Sequence, residues 1–220
     1  MNKYLRIIIG LLGLSFVIVI HEFGHFLACK LFDIATPVFS IGFGPHLFGV
    51  HIGNTLFQIA ALPLGGYVQI ATKQLDAQSY MVKAIILLAG IAINFLFAYI
   101  IFAIFKLRNI DVKQMMQQTS EHVRNGIMGP IGIVSLMSYS ISLSFNHFLL
   151  LLGGLSFSIG MFNLLPVPFL DGGQLAVYTI EAITGPVSDS TYTIGTFIFF
   201  LLFIIFMVYI TVGDIRKLWK

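Results

Sequence analysis

Charge is what this sequence has least of. Lys, Arg, Asp and Glu make up 10% of its 220 residues, against about 25% in ordinary soluble domains. Cysteine is nearly absent as well; Cys29 stands alone, which excludes an intrachain disulfide framework. The net charge of +3 comes with no dense basic patch, so nothing here reads as a nucleic-acid footprint. Long polar stretches are also missing, and with them the room for a soluble catalytic domain tethered by one helix. In their place, 58% of the residues are hydrophobic, 22 of them Phe. A soluble core cannot absorb that much apolar surface, so much of it must face lipid.

Four segments reach the roughly 20 apolar residues that a bilayer crossing requires, at about 4–32, 82–105, 145–165 and 190–213. Ala84 to Phe105 and Ser190 to Gly213 carry no charge, and the third segment lies within Ile127 to Leu170, which has no acid, Lys or Arg. The first runs on past the usual length of a signal-peptide core and lacks an A-x-A cleavage site, so it is expected to be retained. Residues 38–70 differ in kind. Gly42, Gly44, Gly49, Gly53, Gly65 and Gly66, with Pro45 and Pro63, punctuate short runs of Phe, Val, Ile and Leu, a pattern of strands and turns. Thr55 to Leu62 reads as a strand, with Gly65-Gly66 as a turn before Tyr67 to Ile70. A sheet cannot show its edge to lipid, so it must lie at the surface, against protein or beside a wet cavity. The expected fold is a polytopic α-helical membrane protein, with about four transmembrane helices and a small membrane-associated β-structure, forming one domain over 1–220.

Within the first apolar segment stands His21-Glu22-Phe23-Gly24-His25. Histidines four residues apart lie one above the other on a helix face, where they can bind one metal ion. Glu22 points away from that face and is free to act on water beside the metal, the division of labour of helical zinc metalloproteases. The setting sharpens the motif, because Arg6 is the only charge from Leu5 to Ile20 and an acid in a membrane helix marks a functional candidate. The alternative is a buried polar cluster that only packs. Cys29, four residues beyond His25, shares the face, but a free cysteine is more often a small buried hydrophobe than a ligand.

Such a site needs a third protein ligand. Among the nine acids, only Glu22 and Asp171 lie within or at the edge of strongly apolar segments. Pro166 and Pro168 are expected to break the third span just before Asp171, and Gly172-Gly173 permit close approach after it. A neighbouring cation would offset the desolvation of such a carboxylate. An Asp at a helix end facing interfacial water is the other reading.

Several segments in order resemble one family: His21 to His25, Ser40-Ile41-Gly42-Phe43-Gly44-Pro45, Pro63-Leu64-Gly65-Gly66-Tyr67-Val68, Gly129-Pro130-Ile131-Gly132-Ile133, Asn163 with Leu170-Asp171-Gly172-Gly173, and Glu181 to Ser188. Together they resemble the site-2 proteases, which are zinc intramembrane metalloproteases, and in particular the bacterial regulator-of-sigma-E protease branch. The resemblance implies one Zn²⁺ per chain, held by His21, His25 and Asp171, with Glu22 as general base. It implies a β-structure over Ser40 to Ile70 that guides unwound substrate past Gly65, Gly66 and Tyr67, and Asn163 as a polar contact to the substrate backbone. Gly129 to Ser142 would be an amphipathic or partly embedded helix. The implied partners are the lipid bilayer and single-span membrane proteins or signal-peptide remnants, with no nucleic acid, and the implied location is a bacterial inner membrane.

Two departures stand out. Members of that branch usually carry PDZ domains between the second and third spans, where this chain has only a short loop at 106–126. Gln174 replaces the His that often follows the LDGG motif, with the aspartate itself retained. Orientation is contested. Nine of the twelve Lys and Arg fall on the side of the termini, which would put that side in the cytoplasm, whereas the family arrangement puts the termini outside and the metal nearer the cytoplasm. The family arrangement is preferred for the half that holds the site. A non-proteolytic scaffold or a zinc-binding transporter are the alternatives. A transporter would need metal-binding groups at more than one depth, and a scaffold would have little reason to keep all four of His21, Glu22, His25 and Asp171. His46, His51, His122 and His147 read as ordinary polar or interfacial residues.

Overall fold

The computed structural model describes residues 1–120 and 128–218. Ten elements follow in order: α1 (Lys3–Leu31), β1 (Val38–Ile52), β2 (Thr55–Gln69), α2 (Thr72–Asp76), α3 (Tyr80–Leu107), α4 (Val112–Ser120), α5 (Pro130–Leu143), α6 (Phe145–Asn163), α7 (Asp171–Thr184) and α8 (Asp189–Leu218). Four helices are long and apolar enough to cross a membrane: α1, α3, α6 and, within α8, Tyr192–Arg216. With the antiparallel pair β1–β2, this is the expected class, an integral membrane protein of mostly helical architecture. His122 and the end of the 106–126 loop lie outside the described residues.

Local chemistry sets the helix ends. The Asn2 side chain accepts from the Tyr4 amide and caps α1; Ser144 Oγ accepts from the His147 amide and caps α6. The α6 helix stops at Asn163, ahead of Pro166 and Pro168, whose rings cannot continue it. Pro130 opens α5, where its missing N–H costs nothing.

α1 runs through the centre of the molecule, against α3, α5, α6 and β2. Leu14, Val17, Ile101, Phe105, Met137, Phe148 and Leu152 form the main core between these helices. A second cluster of Ala28, Cys29, Ile34, Leu75 and Ile86 closes the other end of α1. There Cys29 is a fully buried packing residue. The His147 ring bonds Ser144 Oγ and Gln118 Oε1, each at 2.8 Å, tying α6 to α4.

The two strands are antiparallel and join through Gly53-Asn54 at Ile52↔Thr55. Both bend, so that Val38 to Ile41 is paired on one side with Leu56 to Ile59 and on the other with Gly66 to Gln69. Gly65-Gly66 is therefore not the expected turn. Gly65 takes a positive φ of 129°, available to glycine, and the strand continues through it. Phe23 and Phe26 of α1 pack on Phe39 and Phe57 of the sheet, with ring centroids 5.4–6.3 Å apart, which fastens the sheet to the helix.

α8 is attached differently. Along its middle, Phe200 and Phe203 touch Phe169, and Phe203 also touches Phe162. Near its end, Asp214 is buried and its Oδ2 accepts from the Gly132 amide at 2.8 Å, a carboxylate placed on the N-terminal turn of α5. Asp214 thus corrects the expectation that Glu22 and Asp171 are the only acids taken into apolar surroundings. It sits just after the uncharged run, where sequence alone suggests interfacial water.

Candidate metal centre

α1 places His21 and His25 one turn apart, their rings edge to face with centroids 4.7 Å apart. Both are buried. α3 crosses α1 at this level with almost no clearance. A β-carbon at Gly24 would lie 2.5 Å from the Ala89 carbonyl oxygen, and one at Gly90 would lie 2.5 Å from His25 Nε2 and 2.9 Å from His21 Cε1. His25 Nδ1 donates to the Ile86 carbonyl at 2.8 Å. A carbonyl can only accept, so Nδ1 carries the proton and Nε2 is left with its lone pair.

Asp171 arrives from the far end of the chain as the first residue of α7. The segment after α6 folds back tightly; side chains at Gly172 and Gly173 would run into the backbone oxygens of Leu164 and Val167. That turn delivers Asp171 Oδ2 to 3.0 Å from His21 Nε2 and 3.4 Å from His25 Nε2, while the two Nε2 atoms are 3.1 Å apart. Zinc–ligand bonds of about 2.0–2.1 Å in a tetrahedron put neighbouring ligand atoms about 3.3 Å apart, which matches these three separations. Despite its two near neighbours, Asp171 Oδ2 makes no hydrogen bond. The three ligand atoms lie close enough together to share one ion. Two imidazole nitrogens and one carboxylate oxygen are the donor set of a zinc site with its fourth position open, so the residues present fit that ion.

Glu22 stays outside this set. Its Oε2 accepts from the Val68 amide of β2 at 3.1 Å. β2 is itself pinned to α1, since Ser15 Oγ accepts from the Gly65 amide at 3.2 Å and donates to the Gly65 carbonyl at 3.1 Å. Gly66 packs closely on Val19 and the Ser40 carbonyl, and Tyr67 stacks on Phe43 and accepts from Gln58. Of the anticipated residues, the structure brings His21, His25 and Asp171 together and runs Gly65, Gly66 and Tyr67 along the strand beside Glu22. Asn163 it places at the end of α6, with its amide donating to Ile159 of its own helix. The sequence reading missed the contribution of α3, namely the Ile86 carbonyl, Gly90 and Asn94. Asn94 carries the one usable signal, as the only carboxamide between Ala84 and Phe105.

Ser15→Ala is expected to loosen the strand and spare the ligands. It leaves two buried backbone groups of Gly65 without partners, a cost of about 1–3 kcal/mol. A lower melting temperature and reduced peptide cleavage, with metal content unchanged, are the expected readings.

The comparisons with known proteins agree with this geometry. The profile described as Peptidase family M50 matches residues 9–206. Candidate zinc metalloproteases of Borreliella burgdorferi and Clostridium perfringens are 37% and 38% identical over 114 and 104 residues, each match covering 44% of this chain and 26% or 31% of the relative. Another from Clostridium acetobutylicum is 31% identical over 159 residues, which is 66% of this chain and 47% of that protein. The matched regions thus span about a quarter to a half of these relatives' lengths. With nearly its whole length matched, this chain belongs to peptidase family M50, the site-2 proteases.

Proposed function

We propose that the chain is a zinc-dependent intramembrane endopeptidase, hydrolysing peptide bonds within or near the transmembrane segments of single-span membrane proteins or signal-peptide remnants, in the inner membrane of a bacterium. The observation that carries the reading is the convergence of His21, His25 and Asp171 inside an apolar helical bundle, with Glu22 beside them and bonded elsewhere. His21, His25 and Asp171 would hold one Zn²⁺ per chain. Bound there, the ion would supply Lewis acidity toward the scissile carbonyl and toward water. Glu22, steadied at Oε2 by Val68, takes the water's proton at Oε1 and later passes it to the leaving amine. The strand through Gly65, Gly66 and Tyr67 holds the substrate extended, and Asn163 contacts its backbone. A transmembrane helix has its amides bonded internally, so it must unwind before cleavage, and helix-breaking residues in the substrate favour this.

A transporter would require ligand groups at several depths; among the described residues one group has metal-binding proximity. The deciding experiment measures zinc content and cleavage of a tagged single-span helix, using the full chain purified in detergent. Wild type is expected to carry one zinc and to cut; His21→Ala and Asp171→Ala are expected to lose most of the zinc and all detectable cleavage. A wild-type protein without zinc sinks the reading.

A further inference from the structure

Asn94 of α3 has a surrounding that packing alone does not explain. It is fully buried, and its amide nitrogen lies 3.2 Å from His21 Nδ1, while its amide oxygen has no partner at all. The two ends of a carboxamide have nearly the same shape and are assigned from their hydrogen bonds. Here the bonds decide. His21 Nε2 faces Asp171 Oδ2 at 3.0 Å and His25 Nε2 at 3.1 Å, so if the metal reading above holds, on which this inference rests, Nε2 presents its lone pair and Nδ1 carries the proton. An Nδ1–H needs an acceptor, and a carboxamide accepts only through oxygen. Turning the amide over puts Oδ1 on His21 Nδ1 and places the NH₂ where the unpaired oxygen was.

α6 packs against this turn of α3. Ser156 Oγ of α6 donates to the Asn94 backbone carbonyl at 3.0 Å, and Gly160 of α6 lets the two helices close here, since a β-carbon on it would lie 2.7 Å from the Phe95 ring. The neighbouring histidine is served in the same way, because Ile86 lies two turns earlier on the same face of α3 and its carbonyl accepts from His25 Nδ1. Gly90, midway between them, clears the two rings. One stripe of α3 therefore meets both imidazoles from behind.

We propose that Asn94 is a positioning residue whose amide oxygen accepts from His21 Nδ1–H, fixing the tautomer and tilt of that ring and so tightening the metal at Nε2. Such outer contacts are worth about 10–100-fold in metal affinity. Leucine fills the same space but cannot accept, whereas aspartate keeps an acceptor at the same reach.

The test is chelator competition for Zn²⁺, with the visible spectrum of the Co²⁺-loaded protein beside it, on the full chain in detergent at one pH. Asn94→Leu is expected to weaken zinc about 10–100-fold and to change the Co²⁺ spectrum. Asn94→Asp is expected to keep both near wild type. Ser156→Ala, which disturbs the same spot without touching the amide, should bind zinc as wild type does. Should Asn94→Leu fail to fold, Asn94→Ser, too short to reach His21, replaces it in the comparison with Asn94→Asp. Wild-type affinity in Asn94→Leu or Asn94→Ser overturns the proposal, as does an Asn94→Asp protein as weak as Asn94→Leu. Absence of zinc from wild type is the separate result that removes the metal reading itself.

Discussion

Glu22→Gln is expected to keep one zinc per chain and to lose cleavage by about 10²–10⁴-fold, the usual range for removing a general base. The geometry separates the two effects. Glu22 is not part of the group formed by His21, His25 and Asp171, so replacing its carboxylate leaves the donor set whole. The glutamine carbonyl can still accept from the Val68 amide that Glu22 Oε2 now engages, so α1 and β2 keep their spacing. What disappears is an oxygen basic enough to take a proton from water. Metal analysis and a timed cleavage assay on the same preparation read both quantities. Near wild-type cleavage would move the base elsewhere, and a parallel loss of zinc would place Glu22 among the ligands.

Gly90→Ala, a change of one methyl at a residue that binds nothing, is expected to cost at least about 100-fold in zinc affinity and all measurable cleavage. The new carbon would stand 2.5 Å from His25 Nε2, 2.7 Å from His25 Cε1 and 2.9 Å from His21 Cε1. Both rings would have to retreat, and both retreat from the ligand point. α3 has little room to yield instead, because it packs so closely on α1 that even a β-carbon at Gly24 would lie 2.5–2.7 Å from the Ala89 and Gly90 backbone. Second-sphere changes that merely remove a hydrogen bond cost 10–100-fold; displacing two ligands costs more. Circular dichroism should stay helical while equilibrium dialysis with zinc reports the loss. Retained zinc in Gly90→Ala would mean that the α1–α3 crossing is looser than the structure shows.

The histidine pair and Glu22 were legible in the sequence because a helix turns a spacing of four into proximity, and Asp171 because an acid beside two prolines in an apolar run has few other reasons to be there. The four long helices announce themselves by length and absence of charge. What stayed hidden depends on backbone and on tertiary approach. The Ile86 carbonyl has no side-chain signature, and Gly90 in an apolar helix looks like any small residue at a helix contact. Gly65 reads as a turn until Ser15, fifty residues earlier, is seen to hold its amide and carbonyl in the strand. α7 was concealed by Gly172-Gly173, poor helix formers that are required there by the backbone of Leu164 and Val167. Asp214 gave no warning because its partner is an amide at the start of α5.

The three residues proposed to hold the ion come from distant parts of the chain, two on the first helix and one on the seventh, with the third helix behind the pair. No part of the chain emerging early in synthesis can hold the ion in this way. On that proposal, metal capture would wait until α7 has been inserted and docked, and the ion would then lock that arrangement by the ordinary linkage between binding and folding. On the proposed function, a half-made or misassembled copy would hold no ion and cut nothing.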